Sequence, residues 1–285
     1  MRTTDTESVS PALDEAEYLA LWLGHELFLA APGDAAYEGG LLADRPAWVF
    51  VAGYQAAIRT VFPEVEVAGW LAFAVSEDRD DPDSHPPLIA RAEESEWLLS
   101  GSKSWVAQSQ SVSELLVTAR LRERTEIFRV SAQIKGLTLS HRQSPGFLGA
   151  MSQGYATFDE SPAARLDAPQ RRKQFAAIEA IAMMIATAGY LQRISPESAT
   201  ARDALAQITA CAAELRVLMQ DPKNIDPIEL CAVDERFHQA FEAWKGATDT
   251  ADLADFDADQ SLFRLYRRGI AKRAEAATIR VSEAD

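Results

Sequence analysis

Trp97-Leu98-Leu99-Ser100-Gly101-Ser102-Lys103-Ser104-Trp105-Val106-Ala107 is the stretch on which the fold turns. It belongs to a series of β-rich runs, broken by turn residues, that fills the chain from Val65 to about Arg165: WLAFAVS, PLIARAE, EWLLSGSKSWVAQ, ELLVTARL, TEIFRVSA, LTLSHRQ and GYATFDE. Regular short strands with turn signals between them predict a sandwich or barrel rather than βαβ units. EDRDDPDSHPP, after the first run, holds three prolines and five acidic residues, so it is expected as an exposed loop. Within the strands Trp97 and Trp105 read as cross-strand packing, and Gly101 as a turn residue.

On both sides the texture is helical. From Leu13 to Pro63 two helices are expected, LDEAEYLALWLGHELFLA and RPAWVFVAGYQAAIRTVF, separated by the turn-rich APGDAAYEGG. From Ala168 onward four helices are expected, at about 169–193, 196–220, 227–245 and 259–283. Ser195 before Pro196 and Glu197 reads as an N-cap, and Asp226-Pro227-Ile228-Glu229 has capping-box spacing. The division is therefore 1–64 helical, 65–167 β and 168–285 helical.

Composition removes several functions. The 43 acidic and 28 basic residues, a net charge of −15, repel polyanions, so no nucleic-acid partner is expected. Arg171, Arg172 and Lys173, and the stretch from Arg264 to Arg273, read as solvated helix faces. No run reaches about 18 uninterrupted apolar residues and the N-terminus is polar and acidic, which points to a cytoplasmic protein without a membrane partner. Cys211 and Cys231 are isolated thiols that suit a reducing compartment. The four histidines lack zinc spacing, and Glu235 with His238 is a single E-x-x-H where a di-iron bundle needs two, so no metal is expected. G-x-S-x-G, P-loop and G-x-G-x-x-G motifs do not occur.

Five pieces of this pattern carry a family resemblance. Phe73-Ala74-Val75-Ser76-Glu77 resembles the [YF]-x-[LMV]-T-E strand of acyl-CoA dehydrogenases, and Trp97 to Ala107 resembles their W-x-L-N-G-x-K-x-W-I-T hairpin. Leu115 to Arg120 is similar to the strand that follows, Phe158-Asp159-Glu160-Ser161-Pro162-Ala163 to the F-D-x-V-P-A exit, and Gln55 to Pro63 to the end of the N-terminal helices. The likeness spans about residues 45 to 195 and identifies a shortened, divergent member. It implies an α+β fold with a short N-terminal helical segment, a central antiparallel β-domain and a C-terminal helical bundle.

The resemblance also implies a site: FAD held by Phe73, Val75, Ser76, Trp105, Val106 and Ala107, with an acyl-CoA or similar thioester as substrate. The matching position for the catalytic glutamate is Ala276, which leaves Glu275, one residue early, as the candidate base. Ala107 stands where the family has a threonine, and Glu77-Asp78-Arg79-Asp80-Asp81-Pro82-Asp83-Ser84 replaces its glycine-rich phosphate loop. Three readings follow: a cytoplasmic, acyl-CoA dehydrogenase-like FAD oxidoreductase with a degraded active site that acts on an acyl thioester or related substrate, a catalytically inactive structural or partner subunit, and a flavin monooxygenase-like relative. The family implies a homo-oligomer, or a hetero-oligomer with a related subunit.

Overall fold

The computed structural model describes residues 13–94, 96–142, 146–167, 170–193, 198–248 and 261–282. Three helices come first: α1 (Glu15–Gly24), α2 (Pro32–Leu42) and α3 (Pro46–Val61). Asp14 and Glu17 close a capping box on α1, each side chain accepting the other's backbone N–H at 2.8 Å. The helix α2 occupies the segment expected as a turn-rich connection. Its glycines let backbones touch rather than make a turn: a Cβ on Gly40 would lie 2.0 Å from the Ala186 carbonyl oxygen, and one on Gly189 2.1 Å from that of Tyr37. Gly40→Ala should therefore destabilise the protein by about 1–3 kcal/mol through overpacking, although alanine is the better helix former by about 1 kcal/mol. Urea unfolding checks this, and a stabilised variant would contradict the close contact.

Seven strands follow: β1 (Trp70–Ala74), β2 (Ile89–Glu93), β3 (Glu96–Ala107), β4 (Val112–Leu121), β5 (Arg124–Ser131), β6 (Leu137–His141) and β7 (Gln153–Leu166). Each expected run forms a strand, and β4, β2, β3, β7 and β5 close in that order into a barrel because β5 also pairs with β4. The sheet is mixed, not antiparallel as expected. After its excursion through β2 and β3 the chain returns beside β1 in the same direction, so β1 and β4 pair in parallel, as do Ile89 and Arg120. Gly101 is also not a turn residue. It lies inside β3 at a break in the β3–β7 register, with φ +123° and a Cβ position 2.5 Å from the Pro87 carbonyl oxygen, which only glycine accommodates.

The chain then forms α4 (Arg171–Arg193), α5 (Ala199–Gln220), α6 (Pro227–Gly246) and α7 (Ser261–Ser282). Asp226 caps α6 as expected, accepting from the Ile228 N–H at 2.8 Å, while Ser198 caps α5 and the expected Ser195 cap lies outside the described residues. One hydrophobic core joins the helices before and after the barrel, and a second fills the barrel. α4 is long and apolar enough to span a bilayer by composition, but it is packed against α2, α3 and α5.

The strand β1 is fastened to α3 through side chains. Gln55 donates to the Leu71 carbonyl (2.8 Å) and to Gln108 Oε1 (2.8 Å) and accepts the Leu71 N–H (3.1 Å). The half-buried Arg59, whose guanidinium burial pushes down to about 10, donates to Gln55 and to the carbonyls of Val67 and Gly69. Satisfied buried polar groups of this kind hold one strand position against a helix.

Candidate active site

The end of β1 is the focus. Lys103, 1% exposed, reaches from β3 beneath it and donates to Glu77 Oε1 (2.7 Å), Thr118 Oγ1 (3.1 Å) and the Val75 carbonyl (3.3 Å). Burial lowers the Lys103 ammonium from its ordinary value, and Glu77 offsets part of that. Ser104 N–H donates to the Ser76 carbonyl at 2.9 Å, which sets Ser76 beside Trp105.

Of the six residues expected to hold the flavin, Val75 and Ser76 border an open cavity and Trp105 keeps part of its surface accessible. Trp105 donates through Nε1 to Gln153 Oε1 (3.0 Å) and meets Phe50 and Tyr54 edge-on. Phe73, Val106 and Ala107 are buried beneath them. The Phe73 ring packs on Phe62 and Phe175, and its backbone N–H donates to the Tyr54 hydroxyl at 2.7 Å.

The cavity beside Val75 and Ser76 measures about 590 Å³ and is also lined by Arg79, Arg120, Arg124 and Arg172. None of these four arginines has an ion pair among the described residues. In a chain of net charge −15 such clustering concentrates positive potential at one point. Two carboxylates, Glu77 and Glu123, line the same cavity, and Glu77 is paired with Lys103. Asp78 accepts the N–H groups of Asp80 (3.0 Å) and Asp81 (3.2 Å) and the Tyr155 hydroxyl (3.2 Å), so its charge serves the loop itself while Arg79 lines the cavity. Arg172, expected as part of a solvated face, lines it too.

Glu275 is exposed on α7, off the stripe formed by Tyr266, Ile270 and Ala274 that faces the core, and the structure does not bring it to β1. Another carboxylate is closer. Glu179 on α4 is half-buried as a residue, but its carboxyl is enclosed and shares a hydrogen bond with the Tyr266 hydroxyl. Burial raises that carboxyl to about 7, against the lowering effect of Tyr266. Phe175, one turn before Glu179 on α4, packs edge-on against Tyr54 and Phe73, which places Glu179 one turn beyond the residues that meet the end of β1. Arg172 and Glu179 are seven residues apart, which places them on one face of α4 about 10 Å apart along its axis. The sequence held a signal for Glu179 that the motif comparison passed over: it is the single charged residue between Gln174 and Leu191.

The raised carboxyl has a consequence for stability. The folded chain keeps the Glu179 proton up to about pH 7, whereas an ordinary glutamate releases it near 4.5. The folded state thus binds more protons within that window, and stability falls as pH rises through it, by up to about 3 kcal/mol, then levels off. Glu179→Gln should flatten this slope in urea unfolding between pH 4.5 and 7.5; an unchanged slope would place the titration elsewhere.

Elsewhere, Glu235 and His238 of the E-x-x-H spacing stand in different surroundings. His238 Nδ1 lies 3.3 Å from Asp234 Oδ1, Arg267 Nε lies 3.5 Å from Asp234 Oδ2, and Glu235 is exposed. No cluster of three metal-type ligands occurs among the described residues.

No family model and no curated protein matches the sequence. Solved structures do match the fold. The prolyl acyl carrier protein oxidase AnaB aligns with a TM-score of 0.61 at 10% identity, over 95% of this chain and 90% of that one. The FAD complex of PigA gives 0.60 at 11% identity, over 94% and 90%. A variant of the Tcur3481–Tcur3483 steroid ACAD gives 0.54 at 17% identity, over 96% and 90%. The helices flanking a mixed β-barrel, joined by a shared core, are thus the acyl-CoA dehydrogenase-like fold.

Proposed function

We propose that the chain is a flavin-dependent oxidoreductase that removes two hydrogens from an acyl thioester, with Glu179 as its base. The observation that carries this reading is a carboxyl near pH-neutral affinity for its proton, enclosed on α4 one turn beyond the residues that meet the strand end bordering the arginine-lined cavity. A base is most effective when its proton affinity matches the working pH. The four arginines suit the diphosphate of coenzyme A or the phosphodiester of a phosphopantetheine carrier, since guanidinium forks match phosphate oxygens.

FAD fits the open part of the site: the accessible Ser76 hydroxyl and Val75 would meet the ring's polar edge, and the accessible part of Trp105 its flank. When bound, FAD supplies the acceptor for the hydride leaving the β-carbon. The chain's own part is to bind and position. The arginines hold the carrier phosphates, Lys103 and Gln55 keep β1 in place, and Glu179 takes the proton from the α-carbon while Tyr266 orients its carboxylate. Similarity to PigA, named with FAD, and to AnaB, named as an oxidase of an acyl carrier protein substrate, supports the cofactor and the thioester class. Similarity to a steroid ACAD named by two chains supports assembly with a related subunit.

A second reading, a partner subunit that holds no flavin, is favoured by the edge-on cover of Trp105 by Phe50 and Tyr54 and by the buried, hydroxyl-less Ala107. Titration of the purified protein with FAD separates the two. Uptake of FAD with a perturbed visible spectrum, then anaerobic bleaching by acyl-CoA or an acyl carrier protein thioester, is the expected result. A protein that takes up no FAD, alone or with its partner chain, would leave only the second reading.

A further inference from the structure

A cavity larger than the one beside Val75 lies away from β1, at the open end of the barrel. It measures about 870 Å³ and is walled by the tip of the β4–β5 hairpin (Leu121 to Arg124), by Ala90 and Ala92 of β2, by Trp97 of β3 and by Arg165 of β7. The alanines leave the space that larger side chains would fill. Arg165 lies over the Trp97 ring, 5.7 Å from its centroid, and holds that wall in place.

One group in this wall is incomplete. Glu126 is 4% exposed, its Oε1 lies 3.4 Å from Arg165 Nη2, and its Oε2 is buried with no hydrogen-bond partner among the described residues. A buried carboxylate oxygen without a donor from the chain is costly, and it is ordinarily met by a donor from outside the chain, a water or a ligand group. At the rim, Arg122 and Arg124 are exposed and have no ion pair among the described residues, whereas Arg91 is engaged by Glu93 (2.6 Å) and Glu160 (2.8 Å). The cavity therefore offers two free guanidinium groups at its mouth and one acceptor within.

We infer that this cavity is a second ligand site, for a small organic phosphate that carries a hydroxyl or amino donor. The phosphate sits on Arg122 and Arg124, and the donor bonds Glu126 Oε2. Glu123 and Arg124 line both this cavity and the one beside Val75, so the hairpin tip is a common wall through which occupancy of one site can bias the other.

Calorimetric titration of the full chain with inorganic phosphate, ribose 5-phosphate and AMP tests this. Ribose 5-phosphate or AMP should bind roughly tenfold or more tightly than inorganic phosphate, the effect of about one hydrogen bond to a charged group. Glu126→Leu should remove that advantage and leave inorganic phosphate unchanged. Arg122→Glu, an exposed position that folding tolerates, should also abolish the advantage and leave only the weaker phosphate binding of the cavity beside Val75, whereas Arg172→Glu in that cavity should preserve the advantage. Three results would overturn the inference: no binding of any probe, an advantage that survives Glu126→Leu, or an advantage lost with Arg172→Glu and retained with Arg122→Glu. Because Arg172→Glu disables only the cavity beside Val75, failure here is distinguishable from failure of the proposed oxidoreductase.

Discussion

Glu179→Gln is expected to lower acyl-thioester turnover by about 10²–10⁴-fold, the usual contribution of a positioned general base. Glutamine keeps the volume and can still meet the Tyr266 hydroxyl, so the fold and the arginine-lined cavity remain intact. What disappears is, among the described residues, the one enclosed carboxyl whose proton affinity lies near neutrality. Binding of the thioester should change little, so the loss should appear in kcat rather than KM. The same assay decides between two carboxylates: Glu275→Gln should leave turnover within about twofold, because Glu275 is exposed on α7. The reverse pattern, an inert Glu179→Gln and a dead Glu275→Gln, would remove Glu179 from the mechanism. In wild type, turnover should rise with pH through about 7 as Glu179 loses its proton, and this rise should vanish in the glutamine variant's residual activity.

Lys103→Met is the second large effect, and it acts on stability. The ammonium is buried, bonded to Glu77, Thr118 and the Val75 carbonyl, and removing it strands three acceptors at once. Loss of one partner from a buried ion pair costs about 3–5 kcal/mol. Glu77 is one-third exposed and can rehydrate, so the low end, about 3 kcal/mol, is expected. At about 2–4 °C per kcal/mol this lowers Tm by roughly 6–12 °C. Lys103→Ala should cost more, because it also leaves a cavity where the four-carbon stem lay. Adding Glu77→Gln to Lys103→Met should recover part of the loss by removing the stranded carboxylate. A Lys103→Met protein within 1 kcal/mol of wild type in thermal unfolding would show that the pair does not hold the strand end.

These two residues differ in how readily the chain announces them. Lys103 stands inside Trp97 to Ala107, a stretch whose spacing could be compared with a family pattern, so its neighbourhood was legible even though its burial was not. Glu179 stands in no motif, and only its isolation within an apolar helix marks it. The strands were legible because turn residues bracket each of them, and the start of α6 because Asp226 and Pro227 mark it. The helix α2 was not, since Gly39 and Gly40 have the composition of a turn while their use is contact with Ala52 and Ala186, residues 13 and 146 positions further on. Gly101 misled for the same reason: a turn and a bulge pressed against another backbone ask for the same residue.

By itself the sequence determined the order of helices, β-domain and helices, the strands one by one, and a strand motif at Phe73 to Glu77 and Trp97 to Ala107 that resembles the acyl-CoA dehydrogenase pattern. Those properties are local, set by periodicity, turn chemistry and spacing along the chain. Only the tertiary structure decided the parallel pairing of β1 with β4, the exposure of Glu275, the enclosure of Glu179 beside Tyr266, and the gathering of Arg79, Arg120, Arg124 and Arg172 around one cavity. Burial and charge clustering are properties of residues brought together from distant parts of the chain. The free energy of a carboxyl or a guanidinium depends on the dielectric and the charges around it, which sequence neighbours do not supply.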